Sequence, residues 1–335
     1  MSIKLKLGIL DQSLLRRGGT ALQAITETVD LVSRAEAWGY SRFWVSEHHN
    51  SASIAGSAPE VLMVKLAGVT KKIRIGSGGV MLPNHSALKV AENFRMLEIL
   101  FPKRIDLGMG RAPGGDRISA RLLNPSNDFS ESAYISQLDY LQAFLTDTAG
   151  TQFGRILAVP QAGTIPEQWI LSSSGGSSQI AAQFGLGLAV AKFINGNAGP
   201  EVAHVYRRLF KPTEINPVPR VMVSVMVLCA DTEEKAGELR RATDYRILQF
   251  EQGNFEAPGP SSELLDYKFS PDEMARVRNN AGRIVSGTPG SVKEQLLRLA
   301  HDFETDEVMI TCMAYSFEDR LRCFELVAEA FELQP

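Results

Sequence analysis

The amino-acid sequence predicts an α/β protein: a single (β/α)8 TIM barrel spanning residues 1–335, with one insertion near residues 252–280. Three observations predict it. Eight short apolar runs recur along the chain, and nearly all are separated by amphipathic segments, an alternation that means a parallel sheet. Eight such units in 335 residues favour closure into a barrel over a doubly wound open sheet. No internal repeat or low-complexity tract points to another architecture.

The elements follow in order. Lys6 to Leu10 reads as the first strand, apolar residues alternating with lysine rather than forming a signal-peptide core. Leu22, Ile25, Val29, Val32 and Ala35 recur at near-helical spacing, and Gly39 ends that helix. Arg42 to Ser46 is a second strand and Ile73 to Met81, Gly-rich and apolar, a third. Val90, Phe94, Leu97 and Phe101 form a helical stripe stopped by Pro102. Strands are predicted at Arg104 to Met109, Gln168 to Ser172 and Leu186 to Ala191. Val221 to Cys229, the longest apolar run, suits a strand buried on both faces, and Glu307 to Thr311 is the last strand. Ser291 with Glu294, and Ser316 with Asp319, have the spacing of capping boxes that open the two final helices. Gln252 to Asn280 resists the pattern: with Gly253, Pro258, Gly259, Pro260 and Pro271 it is too long for a barrel loop, and reads as an insertion or a mobile lid.

Composition excludes several classes. The chain is 44% hydrophobic and 22% charged, an ordinary globular balance that rules out a disordered tail, a collagen-like fibre or a small disulfide scaffold. Lys plus Arg is 35 against 38 for Asp plus Glu, a formal charge of −3, so no basic excess supports nucleic-acid or anionic-membrane binding. No apolar run approaches the roughly 18 residues of a membrane span. Cys229, Cys312 and Cys323 are odd in number and contain no CxxC, which fits a reduced, cytoplasmic setting.

In a βα barrel the active site is built at the C-terminal ends of the strands. That rule gathers Asp11-Gln12, Glu47-His48-His49-Asn50, Gly78-Gly79, Gly110-Arg111 and Ser172 to Ser178 at one rim. Small residues, hydroxyls and the start of a helix near Gln179 suit a phosphate; they equally suit a plain helix cap with a flexible loop. Arg111 reads as a cation for that phosphate or as a surface arginine. GxG at Gly108 and Gly110 lacks its third glycine, that position being Pro113, and no GxxxxGK[ST] occurs, so no dinucleotide or P-loop fingerprint is present. His48 and His49 point to opposite sides of an extended chain, and His85, His204 and His301 offer no ligand spacing, so no metal is expected. One neutral histidine suits general base or proton-donor work; a solvated pair beside a capping glutamate is the alternative.

Taken together and in this order, WVSEHHN (44–50), IRIGSGGVMLP (73–83), VAENFRMLE (90–98), KRIDLGMGR (103–111), SSSGGSSQIAAQFGL (172–186) and IVSGTPGSVKEQL (284–296) resemble the bacterial luciferase-like flavin monooxygenase family. The match runs over most of the chain but not the stretch around 252–280. It implies a barrel that binds flavin at its C-terminal rim. His48 matches the family's active-site histidine and Glu47 the glutamate beside the flavin ring. Gly78-Gly79 falls where relatives carry a non-proline cis peptide under that ring. Arg111 matches a phosphate-contacting arginine, Ser174 and Ser177 fall where relatives bind the FMN phosphate, and Ser173 lies where the chain passes the flavin. Luciferase itself has a cysteine just before the arginine, where this chain has Gly110, and a glutamate where it has Ser173. Luminescence is therefore not expected.

The resemblance implies an FMN-dependent monooxygenase: reduced FMN from a separate flavin reductase, dioxygen, and a small organic substrate that no sequence feature identifies. It also implies a homodimer formed through helices early in the barrel. Two other readings use the same barrel, a deazaflavin (F420)-dependent hydride-transfer oxidoreductase and a non-catalytic FMN-binding protein. A phosphosugar-type barrel enzyme without flavin is a third.

Overall fold

A computed structural model describes residues 5–152 and 154–335. In chain order the elements are β1 (Lys6–Asp11), α1 (Ala21–Ala37), β2 (Arg42–Val45), α2 (Pro59–Gly68), β3 (Arg74–Met81), α3 (Ala87–Leu100), β4 (Ile105–Gly110), α4 (Arg117–Leu123), α5 (Glu131–Leu145), the short β5 (Gly150–Thr151) and β6 (Gly154–Arg155), β7 (Glu167–Ser172), α6 (Gly176–Phe184), β8 (Gly187–Ala191), α7 (Glu201–Leu209), β9 (Val221–Cys229), α8 (Glu233–Glu251), α9 (Pro271–Asn280), β10 (Ile284–Gly287), α10 (Pro289–Asp302), β11 (Glu307–Thr311) and α11 (Phe317–Ala330).

Eight strands close a parallel barrel in the order β1, β2, β3, β4, β7, β8, β9, β11 and back to β1. β10, a ninth strand that sequence periodicity does not single out, lies along Met226–Cys229 of β9. β5 and β6 pair with each other only, outside the barrel. The strands are buried along nearly their whole length, as β-branched and glycine-rich runs require when helices cover one face and the barrel interior fills the other. A large apolar core lies between strands and helices. A smaller one, of Leu10, Trp44, Trp169, Ala189, Met222 and Met309, fills the barrel, with Trp44 and Trp169 edge to face at 6.0 Å.

The N-terminal mouth is closed by charge. Arg42 donates to Asp106 at 2.6 Å and pairs with Glu307 at 2.7 Å; Arg74 reaches Asp106 at 2.7 Å, and Arg220 reaches Glu167 at 2.8 Å. Arg42 and Arg220 also stack on Trp169, at 5.2 and 4.6 Å. Such ion pairs are tolerable in a barrel only as a closed network in which each charge has a partner.

Three expectations are corrected. α10 begins at Pro289 with Thr288 as its N-cap, so Ser291 lies inside the first turn and is no capping residue; proline fits at the first position because its missing N–H is not needed there. Leu22 is 78% exposed: the buried face of α1 is Ala24, Glu27, Thr28, Leu31, Val32 and Ala35, a phase shifted by two polar residues that have buried partners. The segment 252–280 is not irregular throughout. α9 occupies its second half, opened by Pro271 and by a full capping box between Ser270 and Glu273. It is tied down by the Arg17–Glu263 ion pair, by the Arg17 N–H to Pro258 at 2.9 Å, and by Arg241 donating to the Leu264 and Tyr267 carbonyls. Because Arg17 lies in the segment after β1, these tethers bring the insertion to the C-terminal rim.

Candidate active site

β2 ends at Val45, and in the irregular residues that follow, Glu47 and His49 meet side chain to side chain while His48 makes no bond to Glu47. Glu47 is fully buried. Its Oε1 lies 2.8 Å from His49 Nε2 and 2.9 Å from His85 Nε2, and its Oε2 accepts the Met81 N–H at 2.8 Å. Burial pushes this carboxyl up, but the hydrogen bonds from His85, His49 and Met81 more than offset that and hold it below its ordinary value. The same bond raises His85 against the opposing effect of burial.

His48 stands apart from this cluster. It lines an open cavity of about 460 Å³ together with Asn50, Ser51, Ile54 and Ser57. Burial lowers its imidazole below the ordinary value, with hydrogen bonding to the Gly114 backbone pulling the other way. A neutral imidazole beside open space is equipped to take or return a proton. Sequence reasoning missed His49 and His85 as partners of Glu47. The first was signalled by two-residue spacing; the second, at the end of the turn that leaves β3, lies beyond the residues the strand-end rule gathers.

Along β3, Gly78 opposes Gly108 and Val80 opposes Met109, so Gly79 is an extra residue in the ladder. The Gly78-Gly79 peptide is cis. A Cβ on Gly79 would stand 2.7 Å from the Gly108 carbonyl, and one on Gly78 would stand 2.8 Å from Leu10 Cδ1. Neither position admits a side chain without a shift of its surroundings. At Gly110 a Cβ would meet Met81 Cε at 2.8 Å, so Met81 fills the space where a larger residue would project.

β7 ends at Ser172, and α6 starts at Gly176, earlier than the expected Gln179, with Gly175 as an N-cap that offers no side chain. The first-turn N–H groups are therefore left for a ligand or solvent. Gly175 and Gly176 face open space. Ser177 and Ser178 are buried in the first turn while Ser174 is exposed, and the Ser173 carbonyl accepts from Asn195 Nδ2 at 2.9 Å. An open, uncapped helix start bordered by hydroxyls is the donor set a phosphate takes. Arg111, at the end of neighbouring β4, pairs with Glu131 at 2.9 Å rather than with the serines. An incoming phosphate must draw it away from that partly exposed carboxylate.

Residues 5–306 match the sequence model of the luciferase-like monooxygenase family. YwcH, an uncharacterised protein of Bacillus subtilis (strain 168), is 47% identical over 328 residues, covering 97% of this chain and 98% of that one. The N-acetyl-S-alkylcysteine monooxygenase of the same strain is 34% identical over 330 residues, covering 97% and 98%. The crystal structure of apo-MsnO8 superposes with a TM-score of 0.92 at 35% identity over 99% of both chains. Two distant structures share the fold: the oxygenating constituent of 3,6-diketocamphane monooxygenase from Pseudomonas putida, in complex with FMN (TM-score 0.72, 16% identity, 97% of both chains), and an F420-dependent secondary alcohol dehydrogenase (0.67, 12%, 98% of both chains).

Proposed function

The chain belongs to the luciferase-like monooxygenase family, and from that premise we propose that it is the oxygenating component of a two-component system. Reduced FMN delivered by a separate reductase supplies the electrons with which one atom of dioxygen enters a small organic substrate and the other leaves as water. The observation that carries the reading is the uncapped start of α6 at the end of β7, open at Gly175 and Gly176 and one strand from Arg111. The α6 N–H groups, Ser174, Ser177 and Arg111 would hold the phosphate, with Ser173 beside them. Gly78 and Gly79, where packed neighbours leave no room for side chains, would offer bare backbone to the cofactor.

His48 manages a proton at its imidazole from the cavity wall, where burial keeps it neutral near pH 7. Glu47 acts through others: it fixes His49 and His85 and anchors the Met81 N–H, so the β2 and β3 ends keep one geometry. The N-acetyl-S-alkylcysteine relative makes thioethers the first substrate class to try. Exposed Val61 and Val64 on α2, and Met96, Ile99 and Leu100 on α3, support a homodimer through that face. Three unpaired cysteines support a cytoplasmic setting, and among the described residues no helix is long and apolar enough to cross a membrane.

Titration with FMN and with photoreduced FMN, followed by mixing with oxygen, tests the reading. Tight binding of reduced FMN and its oxidation slowed on the protein support it. Binding of deazaflavin F420 but not FMN moves the chain to hydride transfer. Failure to bind either sinks the flavin assignment.

A further inference from the structure

At the end of the barrel away from the rim, an open cavity of about 480 Å³ lies against the starts of three neighbouring strands. Arg74 opens β3, Glu167 opens β7, and Lys103 precedes β4, the strand between them. Glu98, near the end of α3, completes the polar wall, and Ile165 and Ile215 form an apolar side. The volume falls in the range of small-molecule sites, roughly 300–1,000 Å³. Arg42, Asp106 and Trp169, almost wholly buried, seal the barrel at this end, so the cavity is separate from the glycines and serines at the far ends of β3 and β7.

The charges on its wall are unequally satisfied. Arg74 is fully engaged: it donates to Asp106 Oδ1 at 2.7 Å, to the Ile105 carbonyl at 2.9 Å and to the Lys103 carbonyl, and lies 3.3 Å from Glu167. Glu167 is shared with Arg220 at 2.8 Å, yet its side chain remains 31% exposed. Glu98 is only 2% exposed. Its Oε1 accepts the Lys103 N–H at 2.6 Å and the Thr164 hydroxyl at 2.5 Å, while its Oε2 is buried with no partner among the described residues. The Lys103 ammonium, on an exposed residue, likewise has no partner among the described residues. One cavity wall therefore carries a carboxylate oxygen that lacks a donor and an ammonium that lacks an acceptor.

A buried acceptor left unmade is destabilising, and a charged donor is its strongest complement. A simple anion answers only Lys103, and a simple cation answers only Glu98. A molecule that carries both charges answers both, and an alkyl group on it covers the two isoleucines. We propose that this cavity binds a small zwitterion, an α-amino acid with an aliphatic side chain. Its ammonium lies toward Glu98 and Glu167, its carboxylate toward Lys103, and its side chain on Ile165 and Ile215. The sealed end of the barrel stands between this site and the rim, so the amino acid is held and not oxygenated. The proposal does not depend on the monooxygenase reading.

The test is calorimetric titration of the full chain with L-leucine, 4-methylpentanoate, which lacks the ammonium, and 3-methylbutylamine, which lacks the carboxylate. L-Leucine binds about tenfold or more tightly than either. Lys103→Gln, a change on the surface, keeps the wild-type melting temperature but leaves L-leucine binding no tighter than the amine. Saturating FMN does not displace L-leucine. Three results overturn the proposal: no L-leucine binding up to about 10 mM, or no preference over the two truncated molecules; a preference over the amine that survives Lys103→Gln; or displacement of L-leucine by FMN, which moves it to the rim.

Discussion

Glu47→Gln is the most informative single change, because one oxygen pair serves three donors. The carboxylate takes two imidazole Nε2–H groups on Oε1 and the Met81 N–H on Oε2. An amide has one oxygen. Turned toward the imidazoles, it sets its NH₂ against the Met81 N–H; turned toward Met81, it sets NH₂ against two imidazoles. Either way charge-assisted bonds are lost and a buried donor faces a donor, a cost of about 2–4 kcal/mol. At about 2.1 cal/mol/K per residue over 335 residues, the unfolding entropy is about 0.7 kcal/mol/K, so the melting temperature falls by about 3–6 °C.

The loss depends on pH in a stated direction. Glu47, held below its ordinary 4.5, contributes stability that is complete above that value and fades as pH falls through the folded value. His85, held above its ordinary 6.5, contributes stability that is complete below that value and fades as pH rises through the folded value. The gap between wild type and variant is therefore widest between pH 4.5 and 6.5. Calorimetric melts across pH, with NMR titration of the His85 ring, measure both. A melting temperature within 1 °C of wild type, together with an unmoved His85 titration, would refute the assignment of Glu47 as the residue that organises this end of the barrel.

Other changes read the cofactor site and the assembly. Arg111→Ala weakens FMN binding by about 1.5–3 kcal/mol, or roughly 10- to 150-fold by fluorescence titration; an unchanged dissociation constant removes Arg111 from the phosphate site. His48→Ala leaves FMN affinity within about tenfold but slows or uncouples oxygen transfer by roughly 10²–10⁴, read as hydrogen peroxide release from reduced FMN. His49→Ala instead lowers the melting temperature through its lost bond to Glu47, and small, equal effects of the two changes on oxygen transfer would remove His48 from the chemistry. Sedimentation at micromolar concentration gives a dimer that Ile99→Glu splits, the new charge entering the apolar face of α2 and α3; a 36.7 kDa species alone in the wild type ends the dimer proposal.

Sequence periodicity located the barrel strands to within a residue or two, because a strand buried on both faces must be apolar throughout. Val221–Cys229 and Glu307–Thr311 coincide with their expected bounds. Helix faces were harder wherever a polar residue faces inward: in α1, Glu27 and Thr28 are buried because Arg320, Arg16 and Asp11 meet them there, and no local pattern encodes partners almost three hundred residues away. α9 was missed although Ser270, Pro271 and Glu273 spell its start, since the glycines and prolines around it dominate the local composition. At the site, the strand-end rule reached Glu47, His48, Arg111 and the serines. It stopped short of His85, which becomes a partner of Glu47 only when β2 and β3 lie side by side.

The charge lattice at the N-terminal mouth has a bearing on traffic. Arg42, Asp106, Glu307 and Trp169 are almost wholly buried, so the barrel is a vessel with a floor and not a pipe. Everything consumed and everything made must cross the single rim where β1 to β11 end, under the tethered stretch that holds α9. In such a vessel order is imposed by depth: what sits deepest has to arrive first and depart last. Slow departure of one occupant then holds the whole cycle, however fast the chemistry beneath it.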